Sequence, residues 1–180
     1  CKRLKIQVLP PSMNESDSEF IIQNKTRIRF GLSAIKNVGT AAIKSILDAR
    51  NNGRFDDFYD FCKRVDLSKV NKKTLESLIK AGAMDEFGKR TQLLSSMENM
   101  IEKINKEAKE KMKNQASLFA DDDPFDSGSK DLSSSLFGLQ MEDFTEMEKL
   151  SFEKELLGFF LTNHPLQEKT EQLLGNISHQ

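Results

Sequence analysis

Residues that staple a fold or ligate zinc are scarce: of 180 residues two are cysteine and two are histidine, and tryptophan is absent. Cys1 and Cys62 share no metal-type spacing and found no disulfide framework, so a reducing cytosol is the expected setting. His164 and His179 have no cysteine or second histidine at ligand spacing. Also missing is any apolar run near the ~20 residues that a membrane helix requires. With 37% hydrophobic and 31% charged residues, a chain that stays in solution is expected. No N-terminal targeting pattern is present. Leu4, Ile6 and Val8 alternate with Lys5 and Gln7 from the outset, so we expect a piece of a longer polypeptide.

A large net charge is lacking too, but the balance of -1 conceals a polarity along the chain. Residues 27–90 hold 14 Lys or Arg against 8 Asp or Glu, whereas residues 114–148 hold 9 acidic residues against Lys130 alone. The first block favours a polyanion, and the second repels one and stays solvated.

Periodicity divides the chain into four regions. Residues 1–30 read as short strands: alternation stops at Pro10-Pro11, and residues 19–22 and 27–30 can pair across Asn24-Lys25. Residues 31–113 read as helices: a short one ending near Lys36, then 40–50, 55–65, 70–81 and a long amphipathic segment at 91–113. Asn51-Asn52-Gly53 stops the second of these, and Gly82 supplies a left-handed cap to the fourth. Leu93, Leu94, Met97, Ile101, Ile104 and Ala108 form the stripe of the long helix. Residues 114–144, with Asp121-Asp122-Asp123-Pro124 and Ser133-Ser134-Ser135, read as a flexible acidic linker. In the last region, 145–180, Thr145-Glu146-Met147-Glu148 has capping-box spacing and opens a helix; His164-Pro165 ends that element, and a last short helix stops near Gly175. The fold class expected is mainly α: tandem helix-hairpin-helix units, a short N-terminal β segment, and a helical segment after the linker.

The run Lys36-Asn37-Val38-Gly39-Thr40 joins a glycine turn, a lysine and a new helix start, with Lys44 one turn further on. Gly39 permits the turn and Thr40 can cap the helix. A helix N-terminus exposes unpaired N–H groups and the positive end of its dipole, which suits a phosphate without reading a base. A second unit around Ser68, Lys69, Val70 and Asn71, followed by Lys72 and Lys73, lacks a hairpin glycine. A Val-Gly turn is by itself often only a turn, and Lys72-Lys73 read alone as solvated surface.

Within the linker, Gln115-Ala116-Ser117-Leu118-Phe119 offers two bulky apolar side chains with no core nearby. Leu118 and Phe119 can fill a partner's pocket, each yielding roughly 1.5–3 kcal/mol, while Gln115 sets register. Ser135-Leu136-Phe137 lacks the glutamine at the equivalent offset. Asp121 and Asp123 have the spacing of a two-metal site but lie beside Pro124 in a linker, where metal catalysis lacks its rigid support. Asp56, Asp57 and Asp60 read as the polar face of a helix. No nucleophile, base or nucleotide cradle is found.

These residues bring out a family resemblance. Leu9-Pro10-Pro11 to Asn14-Glu15-Ser16, Ile28-Arg29-Phe30-Gly31-Leu32 into Ile35-Lys36-Asn37-Val38-Gly39, and Phe58-Tyr59-Asp60-Phe61-Cys62 resemble the catalytic alpha subunits of bacterial replicative DNA polymerase III. So do Val70-Asn71-Lys72, Leu78-Ile79-Lys80-Ala81-Gly82-Ala83, Glu155-Leu156-Leu157-Gly158-Phe159 and His164-Pro165-Leu166, all in family order. The resemblance implies that residues 1–30 are an edge of the polymerase fingers and that 31–113 are tandem helix-hairpin-helix motifs gripping duplex DNA. It implies that 114–144 carry the internal sliding-clamp motif and that 145–180 lead into an oligonucleotide-binding fold. It puts DNA contact on Lys36, Asn37, Val38, Gly39, Thr40, Lys44, Lys69, Asn71, Lys72 and Lys73, and clamp contact on Gln115, Ser117, Leu118 and Phe119. Ala116 stands where the family often has a larger residue, and residues 121–135 look like an insertion. The implied partners are duplex DNA, the clamp and other polymerase III holoenzyme subunits, in a bacterial cytoplasm at the nucleoid, with no membrane. No cofactor is expected in this segment, and Mg2+ is implied for the parent polymerase. Two other readings stay open: a helix-hairpin-helix module of a repair nuclease or ligase, and a helical protein-interaction scaffold. The string 115–119 separates the first reading from both.

Overall fold

The protein is described here by a computed structural model covering residues 6–116 and 141–161, without the side chains of 111–116. Its order is β1 (Gln7–Leu9), β2 (Ile21–Asn24), β3 (Arg27–Arg29), a 3-10 turn at Leu32–Ala34, α1 (Thr40–Arg50), α2 (Phe58–Arg64), α3 (Lys72–Lys80), α4 (Arg90–Ala116) and α5 (Glu146–Leu157). The fold is mainly α with a short N-terminal β segment, as the periodicity predicts. β2 and β3 form an antiparallel hairpin, and β1 adds parallel to β3 in the order β1-β3-β2.

α1, α3 and α4 each bury an apolar face. α1 contributes Ala42, Ile43, Ile46 and Ala49, and α3 contributes Leu75, Leu78 and Ile79. These meet Phe30, Phe58, Phe61 and Met84 in one core, which α4 closes with Leu93, Met97 and Met100. Gly82, at φ 80°, ends α3 as its left-handed residue, as expected. α5 opens with a full capping box: the Thr145 hydroxyl accepts from Glu148 N–H at 3.3 Å, and Glu148 Oε2 accepts from Thr145 N–H at 2.8 Å.

Several boundaries differ from expectation, each for a local reason. The helix expected to end near Lys36 is a single 3-10 turn, closed by the Ile35 N–H bonding Leu32 carbonyl at 3.2 Å. The helix expected over 55–65 starts at Phe58 because Asp57 accepts from Asp60 N–H at 2.8 Å; Asp57 is therefore a cap rather than part of a polar face. Asp60 pairs with Arg64 at 2.8 Å. Asn71 likewise starts α3 two residues after the expected point. α4 runs to Ala116, into the segment expected as linker, so Asn114, Gln115 and Ala116 are helical. Its buried stripe includes Met100 and loses Ala108, which is exposed. Glu107 accepts from the Tyr59 hydroxyl at 2.8 Å and lies 3.8 Å from Lys103. The helix opened by Thr145 ends at Leu157, capped by Gly158 at φ 85°, and not, as expected, at His164-Pro165, because the left-handed glycine turns the chain first. His164-Pro165, the helix near Gly175, His179, Ser135-Leu136-Phe137 and the Asp121/Asp123 pair lie outside the described residues.

Burial pushes the Cys62 thiol up to about 12, with Asp57 adding to the shift. A thiol in that state is neutral and inert at neutral pH. Cys62 should therefore resist alkylation in the native protein and label only in denaturant, read by mass spectrometry of its peptide; rapid native labelling would show that α2 opens readily.

Candidate nucleic-acid interface

The first hairpin is the turn between the 3-10 segment and α1. Its left-handed residue is Asn37, at φ 66°, and not Gly39. Asparagine tolerates this region because its short amide bonds locally. Here Asn37 Nδ2 donates to Ser77 Oγ at 3.1 Å, while the Thr74 hydroxyl donates to the Asn37 carbonyl at 3.0 Å. Val38 beside it is buried, so the turn is anchored inward by Asn37 and Val38. Thr74 and Ser77 went unmarked in the sequence; two small hydroxyls on the apolar face of α3 were the available signal.

Gly39 is the N-cap of α1, with Thr40 as the first helical residue rather than the cap. Gly39 sits at φ -81° and ψ 160°, extended backbone open to any residue, and an added Cβ would meet no atom within 4 Å. Among the described residues neither conformation nor packing requires glycine there. Without a capping side chain the first-turn N–H groups of α1 have no side-chain acceptor. Lys36 and Lys44 are exposed on either side, and among the described residues no ion pair engages them.

The second hairpin differs chemically. Asn71 Oδ1 accepts from Thr74 N–H at 3.0 Å and so fills the cap of α3 that Gly39 leaves open on α1. Lys72 pairs with Glu98 of α4, which holds its ammonium pKa up. Lys69 lies 3.0 Å from Asp66, whose carboxyl is held at about 2 by the Ser68 hydroxyl and then by Lys69. Lys73 is exposed and, among the described residues, in no ion pair. Lys44 and Lys69 line one shallow concavity between α1 and the loop before α3, with Asp48 on its wall. The hairpins thus share one side of the molecule at that concavity, and Lys72 is drawn toward α4.

Gln115 lies in the last turn of α4, whose 27 residues span about 40 Å. Ser117, Leu118 and Phe119 lie outside the described residues. The chain returns at Met141, whose carbonyl accepts from Lys89 Nζ at 3.2 Å beside the start of α4. Among the described residues no group of His, Cys, Asp and Glu has the arrangement of a metal site, and no helix is long and apolar enough to cross a membrane.

Residues 5–93 match the family described as the helix-hairpin-helix motif. DNA polymerase III subunit alpha of Campylobacter jejuni subsp. jejuni is 42% identical over 179 residues, covering 96% of this chain and 14% of the relative. The subunits of Bacillus subtilis and Vibrio cholerae are 41% and 36% identical, over 93% and 96% of this chain and 14% and 15% of the relatives. The chain therefore spans about a seventh of the length of these relatives. Hairpin geometry and these similarities together identify the chain as a homologue of one segment of the bacterial DNA polymerase III alpha subunits.

Proposed function

We propose that this chain is the part of a replicative DNA-directed DNA polymerase that holds duplex DNA by its phosphate backbone and tethers the enzyme to a sliding clamp. The observation that carries the DNA half is Gly39: among the described residues nothing requires a glycine there, yet it caps a helix with no side-chain acceptor, between two lysines that no ion pair engages. A missing Cβ at such a point lets a phosphate approach the backbone, and the dipole and lysines favour its charge. Contacts of this kind ignore base identity. Lys36, Gly39, Thr40 and Lys44 are the principal contacts, with Lys69 and Lys73 beside them. Asn37 and Val38 act by holding the turn, and Asn71 by capping α3.

The clamp half rests on the string from Gln115 to Phe119, which begins at the far end of a helix about 40 Å long. In this reading residues 31–113 retain DNA, 114–144 carry the clamp string and 145–180 lead toward a further domain. Two contacts on one assembly raise each other's effective concentration, so a micromolar clamp contact near −8 kcal/mol suffices for processive synthesis. The segment makes no bond and uses no cofactor; Mg2+ serves the catalytic part of the longer polypeptide, which works at the nucleoid with the other holoenzyme subunits.

Titrating the chain with duplex DNA and, separately, with a bacterial sliding clamp tests both halves. Gly39→Ala should weaken DNA binding about threefold or more at unchanged stability and leave the clamp contact intact. Leu118→Ala with Phe119→Ala should do the reverse, abolishing clamp binding alone. A clamp that ignores the wild-type chain while DNA still binds would reduce the proposal to a duplex-holding module.

A further inference from the structure

We infer that Glu153 of α5 is a positioning residue for the first hairpin, so that DNA retention depends on a helix from the far side of residues 117–140. The inference rests on the reading that this hairpin meets phosphate. The main-chain N–H of Lys36 donates to the carbonyl of Leu156, in the last turn of α5, at 3.0 Å. Beyond that turn Gly158, at φ 85°, reverses the chain, and Leu161 N–H donates to Glu153 Oε2 at 2.7 Å. The Phe159 ring meets the Phe30 ring just before the hairpin, with centroids 5.6 Å apart. Glu153 thus closes the C-terminal end of α5 on itself where its backbone touches Lys36.

Glu153 is only 4% exposed, and its charge acts on Arg90, itself 6% exposed. Arg90 Nη1 donates to the Lys80 carbonyl at the end of α3, at 2.9 Å. α3 is the helix that holds Asn37 through Ser77 and Thr74. The turn is therefore gripped twice, at Lys36 by α5 and at Asn37 by α3, and Glu153 braces the first grip through its bond to Leu161. Packing alone does not demand a carboxylate there, because Leu156 and Leu157 already seat α5 in the core. A buried charge is costly unless bonded, and Glu153 accepts from Leu161 N–H with the Arg90 charge acting on it from nearby. A lysine on a fixed main chain loses less freedom when it meets a phosphate, which is how such a brace strengthens binding without touching DNA.

The test is a double-mutant cycle on the full 180-residue chain, reading affinity for random-sequence duplex DNA by fluorescence anisotropy. Glu153→Ala should weaken binding about three- to tenfold at unchanged helical content, and should cost nothing further in a Lys36→Gln background. Leu161→Pro deletes the same bond from the donor side and should behave alike, which keeps the test available if Glu153→Ala fails to fold. Amide exchange at Lys36 should quicken in both variants, since its acceptor on α5 is loosened. Wild-type affinity in either folded variant, or an equal loss in the Lys36→Gln background, overturns the proposal. Wild-type affinity in Lys36→Gln alone overturns the hairpin reading, and this proposal with it.

Discussion

Reversing two charges, Lys36→Glu with Lys44→Glu, should lower affinity for duplex DNA at least about tenfold near physiological salt and flatten its salt dependence. Both lysines are exposed and, among the described residues, in no ion pair, so their charge is available to a ligand and their loss leaves the core untouched. With ~4–6 phosphates engaged, the log–log salt slope of the wild-type chain should be about −4 to −5, and removing two contacts should make it shallower by about 2. Base sequence should matter little. Lys72→Ala supplies the contrast: its ammonium is already paired with Glu98, so affinity should change by less than about twofold. Equal losses from Lys72→Ala and the double reversal would mean that net charge, not the first hairpin, drives binding.

The largest effect on stability is expected at Arg90. Its guanidinium is almost wholly buried and donates to Asp85 at 2.8 and 2.7 Å and to the Lys80 carbonyl at 2.9 Å. Burial works against its charge, but Asp85, Glu153 and Asp143 outweigh that, so the pKa rises. Arg90→Met keeps most of the volume yet strands the Lys80 carbonyl and leaves buried Glu153 without that cation. Removing one partner of a buried charge network costs about 3 kcal/mol, discounted here from the upper range because Asp85 is half exposed. For a domain of this size that is a fall of roughly 10 °C in Tm. Urea denaturation followed by circular dichroism should show the midpoint falling at constant m. A midpoint unchanged within error would mean that Arg90 is dispensable to the packing of α3, α4 and α5.

Much of the local structure could be read directly. Gly82 after an apolar period announced a left-handed cap, and Thr145 with Glu148 announced a capping box; both act within a turn of themselves, so sequence spacing suffices. The hairpin between Val38 and Thr40 was also legible, but its geometry was not. Asn37 and Gly39 are both able to take a positive φ, and what selects Asn37 is a pair of hydroxyls on α3, forty residues away in the case of Ser77. Arg90 read as one more charge of a basic block, because nothing local distinguishes a solvated arginine from one enclosed by three helices. Lys72 looked equivalent to Lys73 for the same reason: their difference is Glu98, on another helix.

By itself the sequence determined the class of the fold, the approximate places of its main helices and the separation of basic from acidic regions, since each follows from spacing, composition and short-range bonds. Only the tertiary structure decided which lysines remain unpaired, which residue bends the hairpin, and that α5 reaches back to Lys36. Those outcomes depend on contacts between residues far apart in the chain, which become defined only when apolar burial brings the helices together.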